Sequence, residues 1–227
     1  MKKKKVNLSA TWLATLLLCP IFIFISCNGV SKKQVVNKET NSKTIDYMNV
    51  KDKSFDELFK QVKPEEINNT LAQLMVQEEY TVITAGTDSL FNSMPASWEG
   101  MARYFQKPTT FCLLGSKRYT LEFIKKHQRY TMSFFPEQFE GEVFAFGSKS
   151  GRDSNKMKET KLTNVKTPSG NITYKEARVV IECQLFEITT VNPKDFYTEE
   201  GRTFVEKDAN DYHKLVFGTI TNIWVRK

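Results

Sequence analysis

The sequence predicts a mainly β domain with helical decorations, a β-barrel or α+β fold. Three observations lead there. Six extended runs carry apolar residues at the two-residue period of a strand or continuously, as a central strand does. Short helical stretches with recognisable starts separate them. No strand–helix–strand unit repeats, so the connections read as antiparallel rather than as the crossovers of a parallel sheet. A length of 227 residues suits one domain with appendages, and 40% hydrophobic with 12% aromatic residues supply a core.

The chain opens with Lys2–Lys5, then a mostly apolar run from Leu8 to Ile25 interrupted by Pro20, then Ser26-Cys27. A basic start, an apolar stretch and a small residue before Cys form a lipoprotein signal peptide over residues 1–26, with Cys27 as the lipidated residue. An uncleaved membrane anchor is the alternative, because the run is near the minimum for a spanning helix. Both readings place the domain outside the cytoplasm, anchored to the cell envelope and facing the periplasm or the surface. Four of the positive charges behind the net +7 sit in Lys2–Lys5. The remaining Lys residues are scattered among Glu, which is no nucleic-acid footprint. Residues 27–52, rich in Lys, Asn, Ser and Thr, read as a solvated tether.

The domain proper is expected over 53–227. Ser54-Phe55-Asp56-Glu57 is a capping-box pattern that starts a short helix. Pro64-Glu65-Glu66 opens a second, with Ile67, Leu71, Leu74 and Met75 on one face. Strands follow at Tyr80–Thr84, Asn92–Trp98 and Thr109–Leu114, the first two joined by the polar turn Thr87-Asp88-Ser89. Leu121–Lys126 reads as a helix with Thr120 as its N-cap, and Arg129–Phe135 as a strand. Pro136 starts a helix with Phe139, Val143 and Phe146 on one face, ended by Gly147. Residues 148–175 read as irregular, with a turn at Pro168–Asn171. Ala177–Ile188 alternates cleanly, Asn192-Pro193 breaks it, and the last strand runs from His213 to about Val225. Cys112 and Cys183 fall within apolar strands, as inert core thiols or as a disulfide. No Cys/His spacing suggests a metal, and the absence of GxGxxG, P-loop and Ser-His-Asp patterns argues against nucleotide-kinase and hydrolase chemistry.

Several blocks occur in a fixed order: Thr84-Ala85-Gly86, Asn92-x-Met94-x-x-Ser97-Trp98-x-Gly100, Lys107-Pro108, Arg118-Tyr119-Thr120, and Gly147-Ser148-Lys149-Ser150-Gly151-Arg152-Asp153-x-x-Lys156. Glu176-Ala177-Arg178…Glu182-Cys183 and Asp211-Tyr212-His213 complete them. Together they resemble the flavin reductase-like family with the FMN-binding split-barrel fold, and within it the flavoredoxin-type members. The resemblance implies FMN as cofactor, flavin-dependent oxidoreductase activity and a homodimer. It names no electron donor or acceptor. A non-catalytic flavin or electron carrier, and a flavin-free binding lipoprotein that keeps the fold, are the other readings.

A flavin mononucleotide site needs an apolar or aromatic wall, hydrogen-bond partners for a pyrimidine edge, and cations, hydroxyls or a helix N-terminus for a phosphate. The resemblance assigns Asn92, Met94, Ser97 and Trp98 to the ring. Ser116–Thr120 is basic and hydroxyl-rich and precedes a helix, which suits an anion site and a solvated basic turn equally. The resemblance implies phosphate contact at its Arg118/Thr120 end. Ser150 and Arg152 lie in a second small-and-basic loop. Lys156 and His213 match flavin-site positions of the family. Departures are Tyr104-Phe105, where the family commonly has Trp, and the absence of a tail beyond Lys227.

Overall fold

The computed structural model describes residues 47, 49–63, 80–206 and 212–227. The expected helix after Pro64, the leader, Cys27, most of the tether and Asp211 lie outside the described residues. Helix α1 (Phe55–Leu58) leads directly into strand β1 (Phe59–Val62). The Glu57 carboxylate accepts from both the N–H and the hydroxyl of Ser54, at 2.7 and 2.8 Å, so the expected capping pattern is in place. Val50 is buried in a core cluster with Phe55, Phe59 and Trp224, so the packed domain takes in residues the sequence placed in the tether.

The main strands are β2 (Tyr80–Thr87), β3 (Leu90–Ala96), β4 (Glu99–Tyr104), β5 (Lys107–Leu114), β6 (Arg129–Phe135), β9 (Val179–Thr190) and β10 (Lys214–Arg226). All pair antiparallel in the order β3-β2-β6-β9-β10-β5-β4, with β1 also on β10. The thirteen-residue β10 explains the branch. One edge pairs with β9 along most of its length, while the other is shared by β5 at Lys214–Thr219 and β1 at Ile223–Arg226. A small hairpin, β7 (Asn164–Lys166) with β8 (Ile172–Tyr174), turns through Gly170 at φ +82°, where the sequence placed its turn.

Strand periodicity divides the core between the two faces of the sheet. Ile83, Met132, Phe134, Val179, Ile181 and Cys183 pack on one face with helix α2 (Tyr119–His127). Val82, Phe135 and Val180 pack on the other with α1 and helix α3 (Glu140–Ser148). The mainly β architecture matches the expectation. Among the described residues no ladder joins β3 to β4. The Thr81 hydroxyl crosses that seam to donate to the Glu99 carboxylate at 2.6 Å.

Four local readings change. β4 is a strand of its own, paired with β5 through Phe105 and Gln106 at φ +44° and +64°. Neither is a residue that announces left-handed backbone, so the hairpin carries no sequence signal. The N-cap of α2 is Arg118, not Thr120, which lies buried in the first turn. Gly147 is inside α3 rather than beyond it, and a Cβ there would sit 3.0 Å from Pro95, so its smallness serves helix–strand packing. Helix α4 (Glu199–Glu206) follows the Asn192-Pro193 break and had no counterpart in the pattern. Cys112 and Cys183 are free, buried thiols, and burial raises both above the usual thiol range.

Glu99 offers a test of the seam. Its second carboxylate oxygen is buried without a hydrogen-bond partner, and burial raises its pKa, partly offset by Thr81. An acid whose folded pKa is raised loses stability as pH climbs from the ordinary carboxyl range through the folded value. Glu99→Gln is expected to raise the melting temperature at pH 7, with the difference closing towards pH 4. An unchanged melting temperature at pH 7 would mean that the anion is accommodated.

Candidate functional site

The site forms where β3, the start of α2, the end of α3 and the loop 149–156 meet. Asn92 and Ser93 are consecutive residues of β3, so their side chains leave opposite faces. The Ser93 hydroxyl joins a buried line, 2.8 Å from that of Thr84 and 2.6 Å from the phenol of Tyr174. Asn92 turns the other way, and its amide donates to the Thr120 hydroxyl at 2.7 Å. That bond fixes the first turn of α2 against β3. Across from it, a Cβ on Gly151 would lie 1.9 Å from the Asn92 amide oxygen, so only glycine lets the loop come this close.

Two adjoining clefts flank this contact. One, of about 600 Å³, is lined by Asn92, Met94, Pro95, Lys117–Thr120, Phe146–Arg152 and Lys156. The other, of about 520 Å³, runs past Ser89–Ser93, Phe146 and Gly151–Met157. Both are of a size that takes a cofactor-sized molecule. Seven of the ten residues singled out in the sequence share the larger cleft: Asn92, Met94, Arg118, Thr120, Ser150, Arg152 and Lys156.

Ser97, Trp98 and His213 do not line it. Trp98 is 45% exposed and packs 5.2 Å from the His213 ring and 5.6 Å from Phe204 of α4, making a separate aromatic patch. Sequence reasoning passed over Pro95, Phe146 and Tyr119 as cleft residues. A single Pro or aromatic residue carries no signal in the sequence that separates a cleft wall from ordinary packing.

The electrostatics are lopsided. Lys149 is paired with Glu159 at 3.1 Å, and Arg152 with Glu122. The side chains of Lys117 and Arg118 make no ion pair among the described residues. The Lys156 ammonium donates to the carbonyls of Ser93 at 2.8 Å and Phe146 at 2.6 Å. Phe146 is in the last turn of α3, so this cation caps an otherwise orphaned helix carbonyl. Two of its three donors are thereby used, leaving one for the cleft. Burial, and then the nearby Arg118 cation, push its pKa down to about 8. The first turn of α2 adds its free backbone N–H groups and the positive end of its dipole. Like charges, hydroxyls and a helix N-terminus held together in this way attract an anion.

Fold and site thus define an antiparallel sheet domain with a cationic cleft. Residues 75–227 match the flavin reductase like domain, and the chain belongs to that family. No curated protein matches it. Among solved structures it is similar to an FMN-binding protein from Thermus thermophilus with bound 1-cyclohex-2-enone, at 21% identity over 65% of this chain and 70% of that one, TM-score 0.52. It is also similar to an FMN-binding domain of a flavin reductases-like enzyme from Shewanella baltica OS155, at 14% identity over 74% and 76%, TM-score 0.52. A third similar structure is nitrilotriacetate monooxygenase component B from Bacillus cereus, at 14% identity over 71% and 79%, TM-score 0.51. Likenesses at these identities establish the fold.

Lys156 is expected to matter to folding as well as to any ligand. Lys156→Met keeps the length but leaves the Ser93 and Phe146 carbonyls without their shared donor. Charged hydrogen bonds are worth about 1.5–3 kcal/mol each, and removal of the half-buried charge offsets part of that, so a net loss of roughly 2 kcal/mol or more in urea denaturation is expected. An unchanged midpoint would mean that water replaces the ammonium at no cost.

Proposed function

We propose that this chain is an FMN-binding redox protein of the flavin reductase-like type, exported and held at the cell envelope. The observation that carries the reading is the convergence of Arg118 and Lys156, where burial and then the Arg118 charge disfavour the Lys156 cation, on a cleft also lined by Thr120 and Ser150. A phosphate monoester relieves that repulsion. The donor set suits it: the Ser150 hydroxyl, the Arg118 and Arg152 guanidinium groups, and the backbone N–H groups opening α2, which the buried Thr120–Asn92 contact holds against β3. Met94 and Pro95 provide apolar wall for a flat ring, and the Gly151 approach leaves the loop backbone near it.

FMN, when bound, supplies reversible transfer of electrons and hydride. The chain's own contribution is binding and electrostatics. Lys156 holds β3 and α3 at a fixed separation and presents its remaining N–H to the cleft. Arg118 adds a second positive charge beside it. Trp98 and His213 stand apart on the exposed patch with Phe204. In this reading they meet the cleft of a second copy in a homodimer, which the family resemblance supports.

Titration of the domain with FMN and with riboflavin tests the assignment. FMN is expected to bind at least about tenfold tighter, the equivalent of one charge-assisted contact of about 1.4 kcal/mol. The protonated lysine favours the anion, so FMN affinity should begin to fall as pH rises past about 8, while riboflavin affinity does not. Equal affinities for the two flavins would remove the phosphate site.

Export and anchoring rest on Lys2–Lys5, the apolar run and Ser26-Cys27. Cys27→Ala is expected to release the protein from membranes or leave its leader uncut, read by fractionation and by mass spectrometry of the N-terminus. A mature N-terminus elsewhere, without lipid, would refute it.

A further inference from the structure

The guanidinium of Arg152 ties the two basic loops of the larger cleft together. One arm donates to the Lys117 carbonyl at 3.1 Å, and the plane lies 4.6 Å from the centre of the Tyr119 ring. The other arm is held closely by the Glu122 carboxylate, three residues further along the same face of α2. Both partners of this ion pair are substantially exposed, at 42% and 60% of their side-chain surface. Exposed pairs of this kind are worth little and exchange readily. A phosphate monoester is the stronger partner for a planar guanidinium, which it can engage through two parallel hydrogen bonds.

We propose that Glu122 is a built-in competitor for the phosphate subsite. Its carboxylate occupies the anion-binding edge of Arg152 and latches the loops at 117–119 and 149–152 together while no anion is bound. An entering phosphate monoester takes that edge over, and Glu122 is released to solvent. Glu122 therefore sets how tightly the site discriminates a phosphorylated flavin from its unphosphorylated form. This rests on the FMN reading above. No covalent step is involved, and the exchange is one of carboxylate for phosphate on an unchanged cation.

The test compares FMN with riboflavin by fluorescence titration in the wild type, Glu122→Gln, Glu122→Ala, Arg152→Met and the Glu122→Gln/Arg152→Met pair, with melting curves to confirm folding. Glu122→Gln keeps a hydrogen-bonding partner for Arg152 and removes the competing charge. It is expected to tighten FMN by about 3–10-fold and leave riboflavin unchanged. On the Arg152→Met background the same change should give no gain, because the cation being competed for is gone. A Glu122 that merely positions Arg152 would instead show no gain in Glu122→Gln and weaker FMN binding in Glu122→Ala, which overturns the proposal. So does a gain that persists without Arg152, since it would come from the general field. Should Arg152→Met fail to fold, the Gln and Ala variants decide between competition and positioning. A wild type that prefers FMN while Glu122→Gln is flat sinks only the role of Glu122. A wild type that binds FMN and riboflavin equally sinks the phosphate site and this proposal with it.

Discussion

A buried amide must find partners, and the way Asn92 finds them organises the cleft. It is 5% exposed on a strand whose next residue, Ser93, faces the opposite core. One side of its amide meets the Thr120 hydroxyl, which draws the N-terminal turn of α2 onto β3. The other side abuts the backbone at Gly151, which brings the basic loop within van der Waals contact. An unsatisfied buried polar group costs several times what a typical hydrogen bond contributes net, so this arrangement tolerates little drift. Three segments far apart in the chain are registered by one side chain.

The same logic extends inward. Thr84, Ser93 and Tyr174 form a hydroxyl line beneath the cleft floor, and burial pushes the Tyr174 phenol well above its usual range, so it stays neutral. On the far part of the sheet, the fully buried Glu182 carboxylate takes donors from Thr167, Asn171 at 2.6 Å and the Trp224 indole at 2.8 Å. That set pins the β7–β8 hairpin to β9 and β10. Buried polar groups with complete partner sets add specificity to a sheet whose apolar contacts alone would tolerate a slip in register.

Charge is distributed with a different purpose. Paired cations such as Lys149 knit loops together at the surface, where an ion pair contributes little stability. Arg118 and Lys156 stand close enough for one to depress the other, an arrangement a purely structural design would avoid. Functional sites are where such unfavourable placements are retained, because a ligand of opposite sign relieves them.

Much of this was written locally in the sequence. Alternation over Val179–Leu185, the Ser54–Glu57 capping pair and the turn at Gly170 are settled by neighbours within a few residues, and the structure has them where the pattern put them. The cluster of Arg118, Thr120, Ser150 and Lys156 was legible through the ordered blocks, whose residue types match the needs of a phosphate. What the chain could not state alone depends on partners far along it. β4 is a strand because β5 pairs with it through a Phe-Gln turn that no propensity favours. Thr120 serves Asn92, 28 residues away, instead of capping its own helix. Arg152 meets Glu122, 30 residues away, and Trp98 leaves the cleft for His213 and Phe204. Pattern reports which face of an element is buried. Only the folded sheet, by bringing distant side chains within hydrogen-bond range, decides which partner each of them finds.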